Sequence, residues 1–175
     1  MKIMDLFEKT EDSSKGTYAA ARFSKDSKDI LMKFIKDNKI INPTKTDKLH
    51  STLLYSRAFI KDYTAVGKYE DPIECKPVGF EIWESQPDEK TKQKSKCLVL
   101  KLNAPEFKAR HKELMTKHKE ATYDYDEFKV HVTLSYDVGP DFKVDELPAF
   151  NDVLFLDEEY GTDLDLNWAK NNSVK

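Results

Sequence analysis

Arginine and cysteine are scarce in this 175-residue chain, long hydrophobic runs are missing, and neither sign of charge dominates. Only Arg22, Arg57 and Arg110 are arginine, and 32 Asp plus Glu outnumber 29 Lys plus Arg, giving a formal net charge of -3. A protein that holds long nucleic acid through its phosphates needs a broadly basic face, so that class is excluded and any anionic ligand must be met locally. The lysines are scattered among acidic residues, the pattern of a solvated surface. Cys75 and Cys97 show no C-x-x-C spacing and no leader segment ahead of them, which predicts reduced thiols in a cytoplasmic protein. Apolar runs such as 97–100 and 153–156 fall far short of the roughly 20 residues that cross a bilayer, so a membrane is not an expected partner.

What is present suffices for one core. Hydrophobic residues make up 39% of the chain, with 10 Phe, 8 Tyr and 2 Trp, and residues 1–175 read as a single domain. Residues 17–23 predict a strand, and Ser24 or Ser27 can cap a helix that carries Ile30, Leu31, Phe34 and Ile35 on one face, closed by Asn42-Pro43. Residues 49–55 are β-compatible. A polar stretch over about 63–72 separates them from 78–84, where Phe80 and Ile82 alternate with Glu81 and Trp83, and 97–102 reads as the hairpin partner across a charged loop. Asn103 and Pro105 predict the start of a helix running to about Ala121. Strands over 128–136 and 153–156 follow, then an acidic tail expected to be irregular. Strands follow strands more often than they alternate with helices, which predicts an α+β domain with mainly antiparallel sheet.

One local echo stands out when the chain is compared with itself: HSTLLY at 50–55 and HVTLSY at 131–136 share H-x-T-L-x-Y. In a strand, residues two apart point the same way, so His50 and Thr52 share one face, as do His131 and Thr133. Two such strands side by side would converge two imidazoles and two hydroxyls on one small volume. Displacement at phosphorus needs a base for the nucleophile and an acid for the leaving oxygen, and a histidine's ordinary pKa near 6.5 lets one ring be neutral while the other is protonated. The threonine hydroxyls can donate to the non-bridging oxygens as charge builds there. No metal or other cofactor is required.

A lone strand histidine is usually a packing residue, and it is the pairing that moves the balance. A metal centre is the competing reading, but H-x-T lacks the second histidine of an H-x-H pair, and neither H-E-x-x-H nor a cysteine cluster occurs. His111 and His118, seven apart on the expected helix, read as surface or core-edge residues.

Paired H-x-T motifs 81 residues apart, 131 minus 50, resemble those of the two-histidine (2H) phosphoesterase superfamily. The resemblance implies a bilobal α+β fold, with two mainly antiparallel sheets and outer helices around a central groove. It also implies metal-independent cleavage of phosphodiesters, with His50, Thr52, His131 and Thr133 as the catalytic set. Within that superfamily the chain is most similar to bacteriophage anti-CBASS nucleases, which destroy the cyclic oligonucleotide signals of a bacterial defence system. Tyr18, Trp83 in FEIWES and the acidic Glu158-Glu159 pair carry this narrower match. The match implies that Tyr18 and Trp83 stack on bases of a cyclic di- or trinucleotide such as cGAMP and that Glu159 bonds one. A compact dianion with two base faces suits aromatic platforms and a few donors better than a long basic track. Two rivals remain open at this point: an RNA-processing 2H enzyme acting on 2′-5′ linkages or RNA ends, and a non-catalytic cyclic-nucleotide sponge. The sequence leaves oligomeric state open.

Overall fold

The computed structural model describes residues 15–166, apart from Gln86 and Asp88; the ends of the expected 1–175 domain lie outside the described residues. Six strands and two α-helices follow one another as β1 (Lys15–Phe23), α1 (Lys25–Asp37), β2 (His50–Ser56), β3 (Gly67–Glu84), β4 (Lys96–Asn103), α2 (Pro105–Lys117), β5 (His131–Ser135) and β6 (Leu154–Asp165). The class is α+β, and every named strand pairing is antiparallel.

The expected two sheets are joined through one long strand. The strands form a single six-stranded sheet in the order β2-β1-β6-β3-β4-β5. Its continuity comes from β3, 18 residues long, whose first part pairs with β6 and whose second part pairs with β4. The sequence hides the first part because it is polar and contains Pro72, with Pro77 just beyond it where the pairing with β4 begins, residues that cannot donate to a ladder. The ladder is irregular at each of these prolines, between Lys68 and Ile73 and between Pro77 and Gly79. Although β2 and β5 end the sheet on opposite sides, they approach each other. A sheet whose two edges meet must curl, and the curl brings the two H-x-T strands together.

One face carries the core. Ala19, Ala21 and Phe23 of β1 lie on it with Leu31 and Ile35 of α1, Phe107 and Leu114 of α2, and Leu154 and Leu156 of β6. α1 keeps its expected start because the Ser24 side chain accepts from the Ser27 N–H at 3.2 Å. Phe80 stacks on Phe34 at 5.2 Å between ring centroids, which puts the predicted alternation of β3 to use: Phe80 toward α1, Glu81 and Trp83 away from it. α2 starts at Pro105 with Ala104 rather than Asn103 as its cap, and it ends at Lys117, short of Ala121. His111 and His118, expected at a surface or core edge, are both buried.

Candidate active site

Each H-x-T-L-x-Y segment contains the same irregularity at the same position. In β2, Thr52 pairs with Ala20 and Leu54 with Ala19, so Leu53 is the extra residue. In β5, Thr133 pairs with Val99 and Ser135 with Leu98, so Leu134 is the extra residue. A bulge of one residue reverses the in-out alternation beyond it. It therefore returns Tyr55 and Tyr136 to the face already holding the histidine and threonine, which strict alternation would forbid. Both tyrosines line the same groove as His50, Thr52, His131 and Thr133. The shared leucine and tyrosine are thus part of the construction, as is a shared lysine: K-L-H-S-T-L-L-Y over 48–55 and K-V-H-V-T-L-S-Y over 129–136.

The two imidazoles are held alike. His50 Nδ1 lies 2.7 Å from the Lys48 carbonyl and His131 Nδ1 lies 2.8 Å from the Lys129 carbonyl. A carbonyl can only accept, so each Nδ1 carries the proton and each neutral ring keeps its lone pair on Nε2. Both rings are half-buried in the wall of one groove of about 1000 Å³. Burial lowers the pKa of His50, and nearby Arg22 and Lys48 push the same way. Burial lowers His131 further, to about 4, with His50 itself among the charges acting on it. In the free protein both rings are therefore neutral at pH 7, and an anionic ligand would favour protonation of one of them.

Each threonine is partnered by a phenol. The Tyr18 hydroxyl is 2.9 Å from Thr52 Oγ1, and Tyr136 lines the groove beside Thr133. Burial pushes both phenols above their ordinary pKa, so they stay protonated. A phenol donating into a threonine oxygen leaves the threonine's own proton for a ligand.

The structure brings Tyr18 and Trp83 to this groove. Tyr18 stands edge-on to His50 at 6.3 Å, and the Trp83 ring lies 4.4 Å from that of His131. Trp83 Nε1 donates to Glu81 at 2.9 Å, and Glu81 pairs with Lys101 at 2.7 Å, which holds the indole from behind.

Glu159, expected to bond a base, does not line the groove in this structure. Its side chain has no exposed surface. It pairs opposite Ala21 on the core face, where it accepts from Arg110 Nε and Nη2 at 3.0 Å each, Tyr63 at 3.0 Å, the Val66 N–H at 3.1 Å and Tyr69 at 3.2 Å. Every lone-pair direction of the carboxylate is committed to the fold. The cause is again a bulge: Arg22 pairs with Glu158 and Phe23 with Leu156, so Asp157 is the extra residue of β6. It places Glu158, not Glu159, opposite Arg22, with the two charges 3.2 Å apart. Tyr160, which also lines the groove, carries the Arg22 guanidinium 3.8 Å above its ring.

Sequence reasoning missed Arg22, Tyr55, Tyr136 and Tyr160 as groove residues. For Tyr55 and Tyr136 the signal was the echo itself; for Arg22 it was the spacing of two from Ala20 and four from Tyr18 along β1. Nothing in the acidic run around Tyr160 marked it as a strand. Tyr123, Asp124, Tyr125, Asp126 and Glu127 form a further wall in the segment leading to β5.

Comparison with known proteins places this geometry in context. A family profile described as anti-CBASS protein Acb1 matches residues 15–171. The anti-CBASS protein Acb1 of Salmonella phage S16 is 33% identical over 166 residues, covering 93% of this chain and 97% of the relative. That of Enterobacteria phage T4 is 34% identical over 162 residues, covering 91% and 95%. Among solved structures, TT0787 of Thermus thermophilus covers 83% of both chains at a TM-score of 0.40 and 15% identity, a likeness too loose to bear on the site.

Proposed function

The chain belongs to the anti-CBASS protein Acb1 family, and on that footing we propose that its groove cleaves the 3′-5′ linkages of cyclic di- or trinucleotide signals without a metal ion, letting a phage evade CBASS immunity from within the bacterial cytoplasm. One observation carries the reading. Two imidazoles, each fixed through Nδ1 to the carbonyl two residues earlier, present their Nε2 atoms in one groove with a phenol-backed threonine beside each.

In the first step one Nε2 takes the proton of the ribose 2′-OH as O2′ bonds to phosphorus. The P–O5′ bond breaks and the other imidazole, protonated, gives its proton to O5′. The product is a 2′,3′-cyclic phosphate. Water then attacks phosphorus with the rings in exchanged roles, opening the ring to a 3′-phosphate. Thr52 and Thr133 donate to the non-bridging oxygens, where charge develops. Tyr18 and Trp83 stack against the bases, a contact that every base can make.

A cyclic dinucleotide with both 2′-hydroxyls methylated lacks the nucleophile. Incubated with the protein in EDTA and followed by mass, the unmodified ring is expected to open while the methylated ring stays intact. Equal cleavage of both would exclude the mechanism. A loss of all activity in EDTA, restored by a divalent ion, would exclude metal independence.

The lowered pKa values fix the sign of the pH dependence. With both rings neutral in the free protein at pH 7, kcat/KM depends on the fraction carrying one proton, which grows as pH falls below 6.5 and is lost again below the lower pKa, near 4 for His131. The bell-shaped kcat/KM profile is expected to peak between about pH 4 and 6.5. The kcat profile should lie to its alkaline side, because a bound phosphate raises both imidazoles. A kcat/KM optimum above pH 8 would contradict the assignment.

A further inference from the structure

The two H-x-T strands share a bulge but secure it differently. A bulged residue leaves the ladder, and its buried carbonyl needs another donor. In β5 the Leu134 carbonyl accepts from the Thr44 backbone N–H at 2.8 Å, and Thr44 Oγ1 donates to the Thr133 carbonyl at 2.8 Å. In β2 the Leu53 carbonyl accepts from a side chain instead: His111 Nδ1 of α2, at 2.8 Å.

His111 is itself braced. It is 8% exposed, its ring lies flat on Phe128 at 3.8 Å and 4° between planes, and Tyr123 meets it edge-on at 5.0 Å. Burial lowers its pKa, so the ring stays neutral with Nδ1–H aimed at the Leu53 carbonyl. Phe128 leads into β5 and Tyr123 lines the groove. The same segment is stapled to the end of β2: Arg57 Nε and Nη2 donate to Asp124 at 2.9 and 2.8 Å, the Arg57 N–H donates to Thr122 Oγ1 at 2.8 Å, and the Thr122 N–H donates to Ser56 Oγ at 3.0 Å. His111 thus stands where the bulge of the first motif meets the approach to the second.

We infer that His111 is a positioning residue of the active site, holding the Leu53 bulge of β2 and with it the aim of His50, Thr52 and Tyr55 toward the partner motif. The inference rests on the phosphodiesterase reading for its catalytic consequence, though the geometry stands without it. Misplacing a catalytic group by a fraction of an ångström to one ångström costs rate far more than affinity.

Two substitutions separate this role from mere packing. His111→Phe keeps the ring against Phe128 and removes the donor. His111→Asn removes the ring and keeps an N–H donor close to the place of Nδ1. His111→Phe is expected to lower kcat on a cyclic dinucleotide by about 10- to 10²-fold with KM changed by less than about threefold, while His111→Asn stays within about threefold of the parent kcat. Melting temperatures measured alongside should fall in both. Parent kcat in His111→Phe, or activity in the two variants that follows only their loss of folded protein, would overturn the inference. The imidazole nitrogen resonances of His50 provide a readout free of turnover: they should shift in His111→Phe and hold in His111→Asn. A parent protein that cleaves no cyclic nucleotide would contradict the phosphodiesterase reading, and unshifted His50 resonances in His111→Phe would then contradict the positioning role separately.

Discussion

Replacing either His50 or His131 with alanine is expected to lower kcat on a cyclic dinucleotide by about 10²- to 10⁴-fold, the range that a positioned acid or base supplies. The two rings serve opposite sides of one phosphorus, so the step fails when either is gone. The double variant should then fall little below the lower of the singles, as expected for groups that act as a unit. Both rings are half-buried on the groove wall and neither belongs to the apolar core, so the variants should keep the far-ultraviolet spectrum of the parent. Single-turnover rates for the two singles and the double test this. Additive losses, or one silent substitution, would mean that the rings do not share a reaction centre.

Glu159→Ala is expected to reduce unfolding free energy by about 3–5 kcal/mol, because it strands a largely buried guanidinium. Arg110 is 18% exposed and Glu159 has no exposed side-chain surface. Tyr63, Tyr69 and the Val66 N–H would lose their acceptor at the same time. Burial alone would raise the Glu159 carboxyl, but bonds from Arg110, Val66 and Tyr63 outweigh it and hold the pKa below the usual carboxylate value. A depressed carboxylate pKa contributes stability that is present above the unfolded value near 4.3 and is lost as pH falls through the folded one. Urea unfolding of parent and variant at pH 7 and pH 3 measures both effects: a large gap at pH 7 that narrows at pH 3. A residue that touched a base would instead raise KM and leave stability unchanged.

These two outcomes mark what the sequence could and could not disclose. H-x-T was legible because its logic is local. Two residues on one strand share a face by geometry alone, and the repeat told which two strands to bring together. Helix α1, with Ser24 before an apolar stripe, was legible for the same reason. Strand β6 was not. Its acidic run occupies the middle of the sheet only because Glu159 meets Arg110, 49 residues away in sequence, and Glu158 meets Arg22, 136 away. Without those partners the run reads as a solvated tail. The Asp157 bulge then set Glu158 opposite Arg22 and turned Glu159 inward, a shift that pairing register reveals and periodicity does not. The single sheet was hidden likewise, since the polar, proline-bearing start of β3 becomes a strand only where β6 pairs with it.

A crystal structure with the 2′-O-methylated cyclic dinucleotide, which should bind and resist cleavage, is the sharpest test of two histidines acting on one phosphate. One phosphorus should lie between the two imidazoles, with the 2′ oxygen about 3 Å from Nε2 of one ring and the 5′ oxygen about 3 Å from Nε2 of the other. A ligand whose phosphates all lie against Arg22, Lys48 or Lys129, with no phosphorus spanning positions 50 and 131, would contradict it.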